Sequence, residues 1–262
     1  MQNVVTSNAL DTLLQEVETA PLSVLLLDYD GTLAPFHVNR NRAYPYPDVI
    51  PLLKEIVRSG KTKVVIISGR PIAELRTFLD GIESLEMWGS HGMERRLVDG
   101  SYQYAQVGGS DAELLAEAKN RIVAAGLVSR VETKLGGIAI HWRGMSSIEA
   151  KRVQDLTIEM WLPLADKSGL KLLKFEAGLE LRVAHPNKGD AVRSVLADLG
   201  RPAPIAYLGD DLTDEDAFHV LNGHGVSVLV KDEYRETIAG AWVRPPQQLV
   251  DFLERWAGSV AK

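Results

Sequence analysis

No cysteine occurs in the 262 residues, which removes disulfides, thiolate metal sites and cysteine nucleophiles while leaving the redox compartment open. Basic residues are the minority: 29 Lys and Arg stand against 35 Asp and Glu, a formal net charge of -6. No basic face is offered to nucleic acid or an anionic membrane, so an anionic ligand must be met by cations placed locally. Long apolar runs are missing too. Those present, such as Val24 to Leu27 and Val64 to Ile67, fall far short of the roughly 20 residues that span a bilayer. Met1 to Ala20 carries Asp11, Glu16 and Glu18 and lacks the basic start and apolar middle of a signal peptide. The expectation is a cytoplasmic protein with no membrane or nucleic-acid partner, of open oligomeric state with a monomer favoured. A 45% hydrophobic and 24% charged composition suits an ordinary globular chain of one large domain or two modest ones.

Within that composition, Leu10 to Glu18 reads as a short amphipathic helix. Leu22 to Leu27 is a continuous apolar run stopping abruptly at Asp28-Tyr29-Asp30-Gly31-Thr32, the profile of a strand buried on both faces. Tyr44-Pro45-Tyr46-Pro47 shapes a loop, Pro47 to Arg58 reads as a helix, and Lys63 to Ile67 repeats the strand pattern before Ser68-Gly69-Arg70-Pro71. Pro71 suits the first position of a helix to about Leu79. Glu86 to Trp88 is a third strand, ending at Gly89-Ser90-His91-Gly92. The pattern then changes to helix (Asp111 to Ala125), hairpin (Val131 to Lys134, Gly137 to Trp142), helix (Ser147 to Trp161) and two strands (Lys171 to Phe175, Leu179 to Val183). That order predicts helices on one face of an antiparallel sheet, an α+β domain at 105 to 184 inserted into a core formed by 1 to 104 and 185 to 262. The alternation resumes with a helix (Lys188 to Leu199), a strand (Ile205 to Leu208), a helix (Asp214 to Leu221) and a strand (Gly225 to Leu229). The fold class is α/β, a doubly wound, mostly parallel sheet with an inserted α+β domain.

In such a sheet, ligands bind beyond the carboxyl ends of the strands. Asp28, Asp30, Thr32, Ser68, Asp210 and Asp211 all fall there. One aspartate after a strand is ordinarily a turn or cap residue. Several converging carboxylates repel and raise one another's pKa, and persist most readily around a divalent cation. Oxygen ligands without His or Cys point to Mg2+. A metal-bound Asp28 can then attack phosphorus in line with an ester oxygen while Asp30 protonates the leaving alkoxide and later activates water. Gly31 lets the backbone pass close to the phosphate.

Asp28-Tyr29-Asp30-Gly31-Thr32 after a strand resembles the signature of haloacid dehalogenase superfamily phosphatases. The resemblance continues in order: Ser68-Gly69-Arg70 resembles the second motif, with Ser68 its phosphate-binding hydroxyl and Gly69 and Arg70 beside it. Lys188 in Asn-Lys-Gly-Asp resembles the third motif's lysine, and Gly209 to Asp216 the fourth. The likeness implies Asp28, Asp30 and Lys188 as catalytic residues, Gly31 and Thr32 at the phosphate, and a metal set drawn from Asp28, Asp30, Asp210, Asp211 and Asp214. Thr213 also reads as an N-cap, with Asp216 in the capping-box region. Aspartate two places after the nucleophile implies a phosphatase or mutase.

The insertion sits where this superfamily carries its larger cap. Glu132-Thr133-Lys134, His141-Trp142-Arg143 and Glu180-Leu181-Arg182 resemble the pattern of trehalose-6-phosphate phosphatases, as does Gly89-Ser90-His91-Gly92-Met93-Glu94. The likeness implies sugar-phosphate contacts from His91, Glu94, Glu132, Lys134, His141, Arg143, Glu180 and Arg182. Period-two alternation puts each strand pair on one face, although Glu with Lys or Arg so placed also commonly forms solvated ion pairs. One departure is Phe175-Glu176-Ala177-Gly178, where many such phosphatases have a basic residue. The expected substrate is trehalose 6-phosphate. Sucrose 6-phosphate, glucosylglycerol phosphate and mannosyl-3-phosphoglycerate remain alternatives, as does a sugar phosphomutase.

Overall fold

The computed structural model describes residues 6–37, 39–166, 169–175 and 177–261; Glu176 of the departing segment is outside them. The chain enters through α1 (Thr6–Thr19), β1 (Ser23–Leu27), α2 (Val49–Arg58), β2 (Thr62–Ile67), α3 (Ile72–Phe78) and β3 (Glu86–Gly89), then adds β4 (Glu94–Arg96) and β5 (Tyr102–Tyr104). A second set follows: α4 (Gly109–Ala124), β6 (Val131–Lys134), β7 (Gly137–His141), α5 (Ser147–Ala165), β8 (Leu170–Phe175) and β9 (Gly178–Val183). The chain returns through α6 (Lys188–Leu199), β10 (Ile205–Gly209), α7 (Glu215–Leu221), β11 (Val226–Val230), β12 (Ala241–Val243) and α8 (Gln247–Val260). Contacts divide it into two compact units, Met1–Tyr104 with Asn187–Lys262, and Ala105–Pro186.

The larger unit is one eight-stranded sheet in the order β12-β11-β10-β1-β2-β3-β4-β5, parallel from β12 to β3 and antiparallel beyond. The run Ser23–Leu27 forms its centre because it is apolar throughout and therefore buried on both faces. Leu25 and Leu27 pack with α1, α2, α3 and α8 on one side, and Val24 and Leu26 with α6 and α7 on the other. Leu27 pairs with Leu208 of β10 and Ile66 of β2, so these strands end together and Asp28, Ser68 and Asp210 leave the sheet side by side. The winding direction reverses at β1, the switch point where doubly wound sheets bind ligands.

The smaller unit is an antiparallel sheet, order β6-β7-β9-β8, with α4 and α5 against it. Ile138, Ile140, Leu179, Leu181 and Val183 are buried on one face of the alternation, and Trp161 of α5 donates its ring N–H to the Ala118 carbonyl of α4 at 3.2 Å. The α5 start is fixed by a Ser146–Glu149 capping box. Among the described residues, no helix is long and apolar enough to cross a membrane.

Some local expectations differ. Pro71 sits one residue before α3, not inside it. Thr213 does not cap α7: Asp211 caps a 3-10 turn, Leu212–Asp214, because the Asp214 carboxylate is drawn inward by backbone amides.

Candidate active site

Asp28, Asp210 and Asp214 bring carboxylate oxygens within 4.8 Å of one another. Asp28 and Asp214 are buried. Lys188, also buried, enters this cluster from the first turn of α6, with Nζ 2.9 Å from Asp28 Oδ1 and 2.7 Å from Asp214 Oδ1. An ammonium at a helix N-terminus opposes the helix dipole, and the two carboxylates offset that. Burial disfavours the Lys188 charge, yet Asp214 and Asp28 hold its pKa above the ordinary lysine value. Burial pushes the Asp28 carboxyl well above the usual carboxylate range; Lys188 pulls it down, while the Asp214 and Asp210 charges raise it. Asp210 is pushed up to about 7, first by burial and then by the charges of Asp214 and Asp211.

Asp214 is the most heavily engaged member. Its Oδ1 accepts from Lys188 and from the Tyr207 hydroxyl, each at 2.7 Å, and its Oδ2 from the amides of Asp210 and Asp211 at 3.1 and 3.0 Å. Four donors occupy the lone pairs of one carboxylate, so Asp214 orients the cluster and leaves the less committed oxygens on Asp28 and Asp210. The open donors fit a hard divalent cation: all oxygen, with the Asp28, Asp210 and Asp214 carboxylates outnumbering Lys188 and the more distant Lys231, 3.8 Å from Asp210 Oδ2. The side chains of Asp30 and Asp211, expected among the metal ligands, are not brought into the cluster. Asp211 is exposed and caps Leu212 at 2.7 Å.

Asp30 is instead gripped by Arg70, whose Nε and Nη2 donate to its two carboxylate oxygens at 2.6 Å each. The guanidinium is buried, lies over the Tyr29 and Phe78 rings and reaches Glu74 at 3.5 Å. Arg70, expected at the phosphate, therefore holds the proposed acid. Ser68 is buried beside it and accepts from the Arg70 amide at 3.2 Å. Thr32 is buried, with no hydrogen-bond partner for its hydroxyl among the described residues. The Gly31 and Thr32 amides bond to Ala34 and Tyr29 carbonyls. At Gly31, φ is +77° and an added Cβ would lie 2.2 Å from Asp210 Oδ2, so glycine is what lets that carboxylate close over the loop.

The loops after β2 and β3 are stitched together: His91 N–H donates to the Ser68 carbonyl and Ser90 N–H to the Arg70 carbonyl, both at 2.9 Å. Ser90 and His91 have φ of 49° and 58°. Gly69 leaves room for the imidazole, since a Cβ there would stand 2.5 Å from His91 Nε2. Glu94, expected to touch sugar, is buried and accepts from Ser90 Oγ at 2.5 Å, from the Ile72 amide at 3.2 Å and from the Tyr102 hydroxyl. It is a brace between the loops carrying Arg70 and His91.

In the smaller unit, the register Glu132↔Ala139↔Glu180 and Lys134↔Gly137↔Arg182 places Glu132, Lys134, His141, Glu180 and Arg182 on the sheet face opposite the buried isoleucines and leucines. Lys134 pairs with Glu180 at 2.8 Å and His141 with Glu132 at 2.9 Å. Phe175, named in the sequence only as part of the departing segment and not as a contact residue, joins this face with its ring 5.3 Å from the His141 ring and 5.6 Å from Lys134 Nζ. Arg143 lies just past β7, its carbonyl accepting from Arg130 at 3.1 Å.

The trehalose-phosphatase family model matches residues 26–241, a span containing every residue of this cluster. The chain belongs to the trehalose-phosphatase family. It is 30% identical over 249 residues to a probable trehalose-phosphate phosphatase C of Arabidopsis thaliana, covering 88% of this chain and 76% of that one. It is 28% identical to a trehalose-phosphate phosphatase of Mycobacterium ulcerans, covering 93% of this chain and 63% of the other. Among solved structures, the C-terminal domain of a C. albicans trehalose-6-phosphate phosphatase superposes with a TM-score of 0.83 at 22% identity, covering 98% of each chain. A phosphatase of the haloalkanoate (HAD) superfamily from Bacteroides thetaiotaomicron gives 0.61 at 19% identity, with 99% of this chain and 100% of that one covered. The core is thus a HAD fold, and membership of the family makes this chain a phosphoric monoester hydrolase.

Proposed function

We propose that this chain hydrolyses trehalose 6-phosphate to trehalose and phosphate, with Asp28 as nucleophile and Mg2+ as cofactor. The observation that carries the reading is Asp28 itself: a buried carboxylate at the switch point, 2.9 Å from Lys188 and grouped with Asp210 and Asp214, in a chain of the trehalose-phosphatase family. An Asp28 oxygen bonds to phosphorus as the bond from phosphorus to the sugar oxygen breaks, giving an aspartyl phosphate. Asp30, released from its ion pair with Arg70 and protonated from solvent, gives that proton to the departing sugar oxygen, then takes one from the water whose attack on phosphorus breaks the phosphorus bond to Asp28. Lys188 offsets charge on Asp28 and the phosphoryl oxygens, and Ser68 hydrogen-bonds those oxygens. Asp28 and Asp210 would hold Mg2+, oriented by Asp214; when bound, the ion supplies charge neutralisation that lets an ionised Asp28 approach an anionic phosphate.

The smaller unit, in this reading, is a cap that selects the leaving group through Glu132, Lys134, His141, Glu180, Arg182 and Phe175. Support comes from the mixture on that face of carboxylates, an ammonium and an imidazole around one aromatic ring, which suits a polyhydroxylated ligand. The test is phosphate release with Mg2+ from trehalose 6-phosphate, sucrose 6-phosphate, glucosylglycerol phosphate, glucose 6-phosphate and an aryl phosphate. Preference for trehalose 6-phosphate by about a hundredfold in kcat/KM, roughly 3 kcal/mol of transition-state binding, is expected. A different preferred sugar would displace the substrate and keep the Asp28 chemistry; no release from any would displace both.

A further inference from the structure

Arg235 belongs to none of the motifs, lying in the loop that connects β11 to β12. Its guanidinium is nevertheless committed to the segment that carries Asp210. Nε donates to the Asp210 carbonyl at 3.2 Å and Nη2 to the Asp211 carbonyl at 2.8 Å. Nη1 pairs with Glu215 and donates to the Glu236 carbonyl at 2.9 Å. Glu215 in turn ties down the same loop, accepting from Thr237 Oγ1 at 2.7 Å and the Ile238 amide at 3.1 Å.

These bonds meet another set on the same two residues. The amides of Asp210 and Asp211 both donate to Asp214, and their carbonyls both accept from Arg235. All four backbone groups of the dipeptide are thereby fixed, the donors by one buried carboxylate and the acceptors by one planar cation. A guanidinium is suited to this because its N–H groups diverge in a rigid plane; a lysine ammonium carries the charge without that fork. The side chain held in place is Asp210, an open oxygen of the carboxylate cluster.

We propose that Arg235 is a positioning residue that fixes the Asp210–Asp211 segment, and through it the Asp210 carboxylate, for divalent-cation binding. The inference rests on the reading of the cluster as a Mg2+ site and is independent of which sugar phosphate is the substrate. Groups that orient metal ligands typically change affinity by about 10- to 100-fold when removed.

The experiment is calorimetric titration of the full chain with Mg2+ in the absence of substrate, for wild type, Arg235→Ala and Arg235→Lys, with melting temperatures in chelator and at a fixed, non-saturating Mg2+ concentration. The expected result is a dissociation constant raised about tenfold or more in Arg235→Ala, an intermediate rise in Arg235→Lys, and a smaller Mg2+-induced rise in melting temperature at a fixed, non-saturating Mg2+ concentration. Should Arg235→Ala fail to fold, Arg235→Lys alone decides. Wild-type affinity in a folded variant overturns the inference, as does a lower melting temperature in chelator with the Mg2+ increment unchanged, the mark of a purely structural role. If the wild-type chain binds no Mg2+, the cofactor reading falls and takes this inference with it, whatever the phosphatase assay shows.

Discussion

Gly31→Ala tests the geometry of the site with a single methyl group. The substitution meets two separate obstacles. Its φ of +77° is left-handed, which costs an L-residue about 1–2 kcal/mol. The new Cβ would also fall 2.2 Å from Asp210 Oδ2 and 2.4 Å from its Cγ, where ordinary contact begins at 3.4 Å, so the carboxylate must retreat by about 1 Å. The Asp210 backbone is held by Asp214 and Arg235, which leaves rotation of the side chain off its preferred rotamer, a further cost of about 1 kcal/mol. The variant should lose about 2–3 kcal/mol of stability in chelator, measured by urea unfolding. A ligand displaced by that distance should lower turnover by about a hundredfold and raise the Mg2+ concentration needed for half-maximal phosphate release.

A double-mutant cycle separates the two obstacles. In an Asp210→Ala background the clash is gone and only the backbone term remains, so the loss from Gly31→Ala should shrink to about 1–2 kcal/mol. Equal losses in both backgrounds, or an unchanged Mg2+ requirement, would refute the proposed contact between this glycine and that carboxylate.

Three further outcomes are expected. Asp28→Asn should bind trehalose 6-phosphate yet release no phosphate, because the amide nearly matches the carboxylate in shape but is a very poor nucleophile; turnover in that variant would exclude covalent catalysis by Asp28. Glu94→Ala strands the buried Ser90 hydroxyl and Ile72 amide and should lose about 2–4 kcal/mol with a fall in kcat, whereas Glu94→Gln, which keeps a carbonyl acceptor, should recover most of both in unfolding and phosphate-release assays; similar KM defects in both variants with unchanged stability would return Glu94 to the substrate. Burial and neighbouring carboxylates raise the folded Asp28 and Asp210 above the ordinary aspartate range, Asp210 to about 7, so the folded, metal-free chain binds more protons than the unfolded one across that window and its stability falls as pH rises through it. The effect should be visible in chelator as a melting temperature whose pH slope becomes less negative in Asp210→Asn.

The parts of this structure that were legible in the sequence are those in which a local pattern and a tertiary position coincide. A short apolar run without polar alternation that stops at a turn motif suits a strand covered on both faces, and Leu25 and Val24 divide between the two cores accordingly. Three strands followed by Asp28, Ser68 and Asp210 point to a site beyond the carboxyl ends of the central strands. Period-two alternation likewise put Glu132, Lys134, Glu180 and Arg182 on shared strand faces, although the contacts between strands, including Lys134 to Glu180 across the intervening β7, required the register. Helix α8 was legible in principle: Leu249, Phe252, Leu253, Trp256 and Val260 recur at helical spacing and are all buried. The three-residue strands β4, β5 and β12 are too short to show a period, and only their pairing defines them.

What could not be read was the choice of partner. Asp30 and Asp210 are the same residue type, each following an apolar strand in an acidic motif, and nothing in either motif says that one carboxylate faces a cluster while the other faces a guanidinium 40 residues away. Sequence supplies the kind of chemistry a side chain can do; its neighbours decide whether that side chain is spent on the reaction or on holding the groups that perform it. Glu94, Asp214 and Arg235 are charged residues of the second sort, their bonding capacity used on backbone amides, carbonyls and hydroxyls. A saturated carboxylate of this kind has little left to offer a cation or a sugar. The open oxygens of Asp28 and Asp210 are therefore where the chemistry of this site must be sought.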